Sequence, residues 1–251
     1  VVYNDVTQLH RATSGCNTAT TKVHFPLQAN ISIGGSDANY KMYYGSSTNG
    51  TSFNNATRVY RFEDDFSANM DRWSVVSGAW NASAGYITSA TDSAKVFREK
   101  TNYSVWGTWE WDVRSAAYVA KFVLISNFTP LDHYSFYRLS TFGTTNEDLD
   151  KYDIKLLNYT TSDPKIWRHI RIDRYRNNGT FEIFVNNVSK GTVTDTAINE
   201  SGYSLLEVGE GGDYFGVAEW DNFIYYRTPI TYSISLGSET TTDSAPTVTL
   251  N

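Results

Sequence analysis

The stretch Arg61-Phe-Glu-Asp-Asp-Phe-Ser67, followed by Trp73-Ser-Val-Val-Ser-Gly-Ala-Trp80 and then by Gly85-Tyr86, decides the fold. On an extended backbone alternate side chains face opposite ways. Phe62, Asp64 and Phe66 therefore share one side, and Glu63 and Asp65 the other. The aromatic side seeks a core. The two carboxylates on the opposite side are costly to bury alone, so they require solvent, an Arg, backbone N–H groups or a metal ion.

Outward from this stretch, the chain is 251 residues long, enough for one large or two smaller domains with a sizeable core. Tyr (18 residues), Thr, Ser, Val and Ile abound and are punctuated by Gly and Asn, the composition of an all-β protein. The net charge of −6, with no cluster of Lys or Arg, argues against a nucleic-acid partner. No apolar run approaches the ~20 residues of a membrane helix, and no signal peptide opens the stretch at Val1. Cys16 is the single cysteine, so no internal disulfide forms; an inert thiol or an intermolecular bridge is expected.

Period-two patterning predicts the strands. Gly107-Thr-Trp-Glu-Trp-Asp-Val113 alternates, with Trp109, Trp111 and Val113 inward and Glu110 and Asp112 outward. Further strands are expected over residues 86–89, 95–98, 120–125, 133–139, 151–158, 166–175, 181–185, 188–193, 205–208 and 215–226. Asn178-Gly179 and Asn186-Asn187 supply hairpin turns, because both pairs tolerate positive φ. Residues 141–150, with Glu147, Asp148 and Asp150, read as a polar loop: a solvated tip or the rim of a binding face. The Gly-rich 209–213 segment lacks the Lys and the helix of a phosphate-binding loop.

The Asp64-Asp-Phe-Ser67 run, the Trp73 and Gly78-Ala-Trp80 steps and Gly85-Tyr86 resemble the opening of a laminin-G/concanavalin A-like jelly roll, as found in prokaryotic surface proteins. Ala218-Glu-Trp-Asp-Asn-Phe-Ile-Tyr-Tyr226 resembles the closing strand, which in that fold lies beside the first. The resemblance covers roughly residues 60–227. It implies an all-β jelly-roll β-sandwich, here preceded by a smaller N-terminal β module. Asn39-Tyr-Lys-Met-Tyr-Tyr-Gly45 resembles the C-terminal part of an uncharacterised β-rich domain of archaeal and bacterial surface proteins. The expected division is a partial β module over 1–57, the jelly roll over 58–228, and an extra strand and linker over 229–251. The last strand, 247–251, is expected to open a following Ig-like domain or to pair into a neighbouring copy.

Ten Asn-x-Ser/Thr sequons occur, at Asn30, Asn49, Asn55, Asn81, Asn102, Asn127, Asn158, Asn178, Asn187 and Asn199. The Asn, Ser and Thr content alone gives about four. The excess points to an exported, N-glycosylated surface protein, although turn-rich β proteins are also rich in Asn and Thr. A sugar coat without disulfides fits an archaeal exterior.

Hydrolases of the laminarinase type on this fold carry Glu-x-Asp-x-x-Glu on one strand. Glu110-Trp-Asp112 supplies two acids, but Ser115 stands where the second Glu belongs, so the resemblance does not carry catalysis over. A solvated, charged strand is the expectation. His10, His24, His133 and His169 show no zinc-ligand spacing. The resemblance does imply a calcium ion where the first and last strands meet. Asp221 would bind it with main-chain oxygens, opposite Glu63 and Asp65, as suits an all-oxygen shell. Turn capping or pairing with Arg61 or Arg227 is the other reading of these acids. Lectins stack an exposed aromatic on the sugar ring, and Trp80, Trp106, Trp167 and Trp220 are the candidates. The expected function is therefore non-enzymatic. The chain reads as a glycosylated structural or adhesive module of an extracellular coat or appendage, partnered by other copies of itself or by neighbouring domains. The alternative is a carbohydrate-binding module, with or without calcium.

Overall fold

The computed structural model describes residues 1–14, 21–31, 35–43, 54–82, 84–89, 95–99, 104–115, 119–126, 136–142, 146–151, 154–160, 165–198, 202–208, 218–226, 234–236 and 247–250. No helix among them is long and apolar enough to cross a membrane. The chain forms two compact units: Val1–Arg61 with Pro229–Asn251, and Phe62–Thr228. The sequence division is regrouped here, because the third expected segment contributes strands to the first unit.

The larger unit is a two-sheet sandwich. Its strands are β6 (Phe62–Asp64), β7 (Trp73–Val75), β8 (Trp80–Asn81), β9 (Ile87–Ser89), β10 (Lys95–Glu99), β11 (Gly107–Ser115), β12 (Val119–Ser126) and β13 (Phe136–Phe142). They continue as β14 (Asn146–Lys151), β15 (Ile154–Thr160), β16 (Arg168–Arg174), β17 (Thr180–Val185), β18 (Val188–Thr194), β19 (Tyr203–Val208) and β20 (Ala218–Tyr226). One sheet has seven strands in the order β15-β14-β13-β12-β19-β10-β7. The other has eight, in the order β18-β17-β16-β11-β20-β9-β8, with β6 also paired to β20. The expected meeting of first and last strands is present, with Phe62 opposite Tyr225, Glu63 opposite Ile224 and Asp64 opposite Phe223.

The inward set of each strand fills the space between the sheets. Trp109, Trp111, Val113, Ile170, Ile172, Phe181, Ile183, Trp220, Phe223 and Tyr225 come from the larger sheet, and Phe122, Leu149 and Leu206 from the other. Aromatic contacts bridge the layers: Phe122 lies 4.3 Å from Trp111 and 5.2 Å from Phe223, ring centre to ring centre. The opening motif explains itself locally. Asp64 Oδ1 accepts from Phe66 N (2.9 Å) and Asp65 Oδ1 from Ser67 N (3.0 Å). These consecutive turns hold Phe66 at φ 51° and tip its ring into the core against Trp73. Asn178-Gly179 and Asn186-Asn187 turn as expected, with φ of 71° at Gly179 and of 49° and 65° at the second pair.

Gly107 opens β11 at φ 154°. A Cβ there would stand 2.6 Å from the Tyr226 carbonyl oxygen and 2.8 Å from the Tyr225 ring. Gly107→Ala is expected to lower stability by about 2–3 kcal/mol, from close contact together with an unfavourable φ. Denaturant unfolding measures it, and a loss below about 0.5 kcal/mol is the opposing result.

Two expectations are corrected. The described residues of the 141–150 stretch are strand and not loop: β13 runs to Phe142 and β14 starts at Asn146. Glu147, Asp148 and Asp150 are 0 %, 2 % and 5 % exposed. Glu147 shares Leu149's parity and so enters the core, where Arg168 from the facing sheet pairs with it. Asp148 receives Lys155 Nζ at 3.0 Å and the Asn158 amide. The expected single strand over 151–158 divides between β14 and β15, which pair as a hairpin. Polar composition conceals the burial of Glu147 and Asp148, because their partners lie on other strands.

In the first unit, β1 (Val2–Tyr3), β2 (Thr7–Gln8), β3 (Ala12–Ser14), β4 (Lys22–His24) and β5 (Asp37–Lys41) precede a single helical turn, α1 (Ala56–Val59). The Asn55 side chain caps this turn by accepting from Arg58 N. β21 (Ile234–Leu236) and β22 (Thr247–Leu250) join from the far end, giving a sheet ordered β2-β1-β5-β22-β21. β3 and β4 pair separately. The core is small: Val1, Leu9, Ile31 and Tyr40, with Tyr3, Val23, Phe25 and Met42 against it.

Candidate functional site

The outward set of the eight-stranded sheet forms one polar face, and the alternation of β11 and β16 builds it. Glu110 pairs in register with Arg171, and Asp112 with His169. Glu110 does not reach solvent as a charged strand residue should; it is 8 % exposed. Tyr226 Oη donates to its Oε1 at 2.5 Å. The His169 ring sits between two acids, with Nε2 3.1 Å from Glu110 and Nδ1 2.9 Å from Asp112. Bonds to the two carboxylates outweigh burial and push the His169 pKa up to about 9, so the ring is an imidazolium at neutral pH. The Asn186 turn fixes the backbone here: His169 N donates to Asn186 Oδ1 (2.9 Å), and Asn186 N donates to His169 O (2.8 Å).

Beside this clamp, Thr108 Oγ1 donates to Asp173 Oδ1 (2.7 Å) and Arg171 ion-pairs with Asp173 at 3.4 Å. Burial raises the Asp173 pKa. On the other side, β20 carries an irregularity where Trp111 faces two residues, Asn222 and Phe223. Asn222 adopts φ 49° there, which sends its amide to Asp112 Oδ2 at 2.8 Å. Arg114 pairs with Glu219, its register partner. Ser115 turns into the interior and is 1 % exposed. The Glu110-x-Asp112 spacing is thus answered by cations and hydroxyls, and no second carboxylate from its own strand joins it.

The structure separates the four Trp candidates. Trp220 is buried, and Trp80 packs on it at 5.8 Å. Trp106 is half-buried under the Arg174 guanidinium, 4.2 Å from its ring centre. Trp167 alone among these four is exposed, at 37 %. It precedes β16 on the polar face, 5.9 Å from the Tyr86 ring at 66°. The Arg114 guanidinium lies 4.8 Å from Trp167 and 5.7 Å from Tyr86. Two aromatic rings and an Arg–Glu pair therefore border one surface. Tyr86 and Arg114 carry no ligand signal in the sequence, because only strand register brings them to Trp167.

The seam of β6 and β20 gathers Glu63, Asp65 and Asp221 only in part. Asp65 holds the Ser67 N–H and hydroxyl, and these bonds lower its pKa. Asp221 Oδ1 accepts from Asn222 N (2.6 Å). Its pKa is raised, first by burial and then by the charges of Asp112, Asp65 and Asp64. Burial and Asp65 likewise raise Glu63. Among the described residues no three His, Cys, Asp or Glu side chains converge as metal ligands.

Of the sequons, Asn30, Asn81, Asn158, Asn178 and Asn187 are exposed and Asn55 is half-buried. Asn49, Asn102, Asn127 and Asn199, like His133 and Cys16, lie outside the described residues. The Asn158 amide donates to the buried Asp148 carboxylate, which makes it the least favourable of the exposed sites for a glycan.

No family model matches the chain, and no curated protein matches it. Solved structures do. The carbohydrate-binding module CBM66 from Bacillus subtilis superposes with TM-score 0.51 at 16 % identity, over 63 % of this chain and 97 % of that one. A Bacillus licheniformis β-glucanase gives 0.51 at 14 %, over 66 % and 97 %. The carbohydrate recognition domain of Emp46p, in its potassium-bound form, gives 0.52 at 11 %, over 63 % and 90 %. At these identities the likeness is one of fold: the chain contains a concanavalin A-like jelly-roll sandwich. Both binding modules and glycoside-active enzymes share that fold.

Proposed function

We propose that the chain is a non-catalytic carbohydrate-binding module whose sugar ring rests on Trp167, beside Tyr86 and the Arg114–Glu219 pair. The exposed Trp167 on an otherwise polar face carries this reading. A flat indole offers its face to the C–H groups of a pyranose, while charged groups beside it bond the hydroxyls. The binding modules among the structural neighbours support it. A glycan array probed with the parent protein and with Trp167→Ala tests it. Trp167→Ala is expected to keep its fold by circular dichroism and to bind at least about tenfold more weakly, or about 1.4 kcal/mol. Equal binding by the variant, or release of reducing sugar from a bound glycan, would overturn the reading.

A second reading concerns setting. Five exposed sequon asparagines favour an N-glycosylated module of an extracellular coat or appendage. The native protein is then expected to lose mass on enzymatic deglycosylation, with Asn158 unmodified; an intact mass equal to that of the bare polypeptide opposes it. Calcium at the Glu63–Asp65–Asp221 seam is a separate proposal, supported by the charge of Asp65, which raises the pKa of both Glu63 and Asp221 after burial has done so. It is tested by melting with millimolar calcium against a chelator, and an unchanged midpoint removes it.

A further inference from the structure

In the first unit, β22 lies inside the sheet, between β5 and β21. Thr247 is opposite Lys41 and Val248 opposite Tyr40 on one side, and Leu236 is opposite Val248 on the other. β5 is the hub of this sheet, because it also pairs with β1 and carries the buried Tyr40. Tyr40 packs against Tyr3 at 4.8 Å and Phe25 at 5.5 Å, and its hydroxyl receives Gln28 N at 2.8 Å.

The connection between β21 and β22 is Gly237-Ser-Glu-Thr-Thr-Thr-Asp-Ser-Ala-Pro246. An antiparallel pair needs about two to five residues to turn. This one has ten, small or polar throughout. Fully extended they span roughly 35 Å. β22 itself is four residues long, so few ladder bonds hold it and its local opening costs little.

We propose that the slot between β5 and β21 is exchangeable, and that a second copy of this chain fills it with its own β22. The same backbone edges and the same register are satisfied whichever molecule supplies the strand, so only the tether distinguishes the two states. Every copy has one strand to give and one slot to fill, so two copies that exchange strands close a dimer, and copies that each give to a different neighbour form a longer chain. A tether of this length gives an effective local concentration in the millimolar range. Exchange is therefore minor in dilute solution and grows with protein concentration.

Single-cysteine variants test this. Lys41→Cys and Thr247→Cys are each made with Cys16→Ser and given tags of different mass, then mixed and oxidised. Register partners on antiparallel strands lie within disulfide reach. At about 0.5 mM, roughly a tenth or more of the chains are expected as disulfide-linked heterodimer, a fraction that rises with concentration. A chain carrying both cysteines closes internally when dilute. Deleting residues 238–245 from the Thr247→Cys partner leaves a short turn that holds β22 to its own β21, and is expected to cut the heterodimer at least about tenfold. The proposal is overturned if the heterodimer does not exceed that from Lys41→Cys mixed with Ser67→Cys. It is equally overturned if the doubly substituted chain fails to close, or if the shortened tether exchanges as well as the full one.

Discussion

Arg168→Met is expected to destabilise the sandwich by about 3–5 kcal/mol, because it leaves the Glu147 carboxylate inside the core without its cation. Both side chains of this pair are fully buried, and they come from facing sheets. Tyr159 lies beside them, where burial and the Glu147 charge raise its hydroxyl pKa. For a unit of this size the loss corresponds to a fall in midpoint of roughly 10 °C. Arg168→Met combined with Glu147→Leu is expected to recover most of it, since no charge is then buried alone. Thermal and denaturant unfolding of the two variants decide the matter. A single variant within about 1 kcal/mol of the parent would mean that water already reaches Glu147.

His169→Leu is expected to cost about 2–3 kcal/mol at neutral pH, and to remove a pH dependence that the parent protein shows. The ring is held charged by Asp112 and Glu110, with a pKa of about 9 in the fold against an ordinary 6.5. A raised folded pKa stabilises fully below the unfolded value. The contribution is therefore complete below about pH 6.5 and is lost as pH rises through about 9. At 30 % side-chain exposure solvent screens part of it, leaving about 2 kcal/mol. The parent's stability should decline between these limits while that of His169→Leu stays flat. Equal slopes would show that His169 is not the titrating group. Because His169 is two residues from Trp167 in the chain, the same titration is expected to weaken glycan binding at high pH.

The opening motif is legible because its message is local. Asp64, Asp65 and Ser67 make turns within three residues of themselves; Phe62 enters the core by strand parity, and the turn at Asp64 tips Phe66 in after it. Trp109, Trp111 and Val113 are likewise readable from parity, and the Asn-Gly and Asn-Asn turns from their tolerance of positive φ. Glu147 misleads for the opposite reason. Its composition says solvent, and its partner is 21 residues away on the other sheet. His169 stays hidden because ligand spacing along the chain says nothing about a ring clamped by acids 57 and 59 residues distant. The Trp candidates are equal as letters, and only burial sets Trp167 apart.

The joining of first and last strands was legible only through the resemblance of residues 64–67 and 218–226 to a concanavalin A-like jelly roll, whereas local chemistry, repeated every second residue, determined the all-β character and the inward aromatic set. Those signals travel along the backbone and need no knowledge of distant neighbours. The tertiary structure decided which polar side chains are buried and paired, which indole meets solvent, and where β22 docks. These depend on cross-strand register and on the facing of two sheets, which place residues far apart in the chain within hydrogen-bond reach.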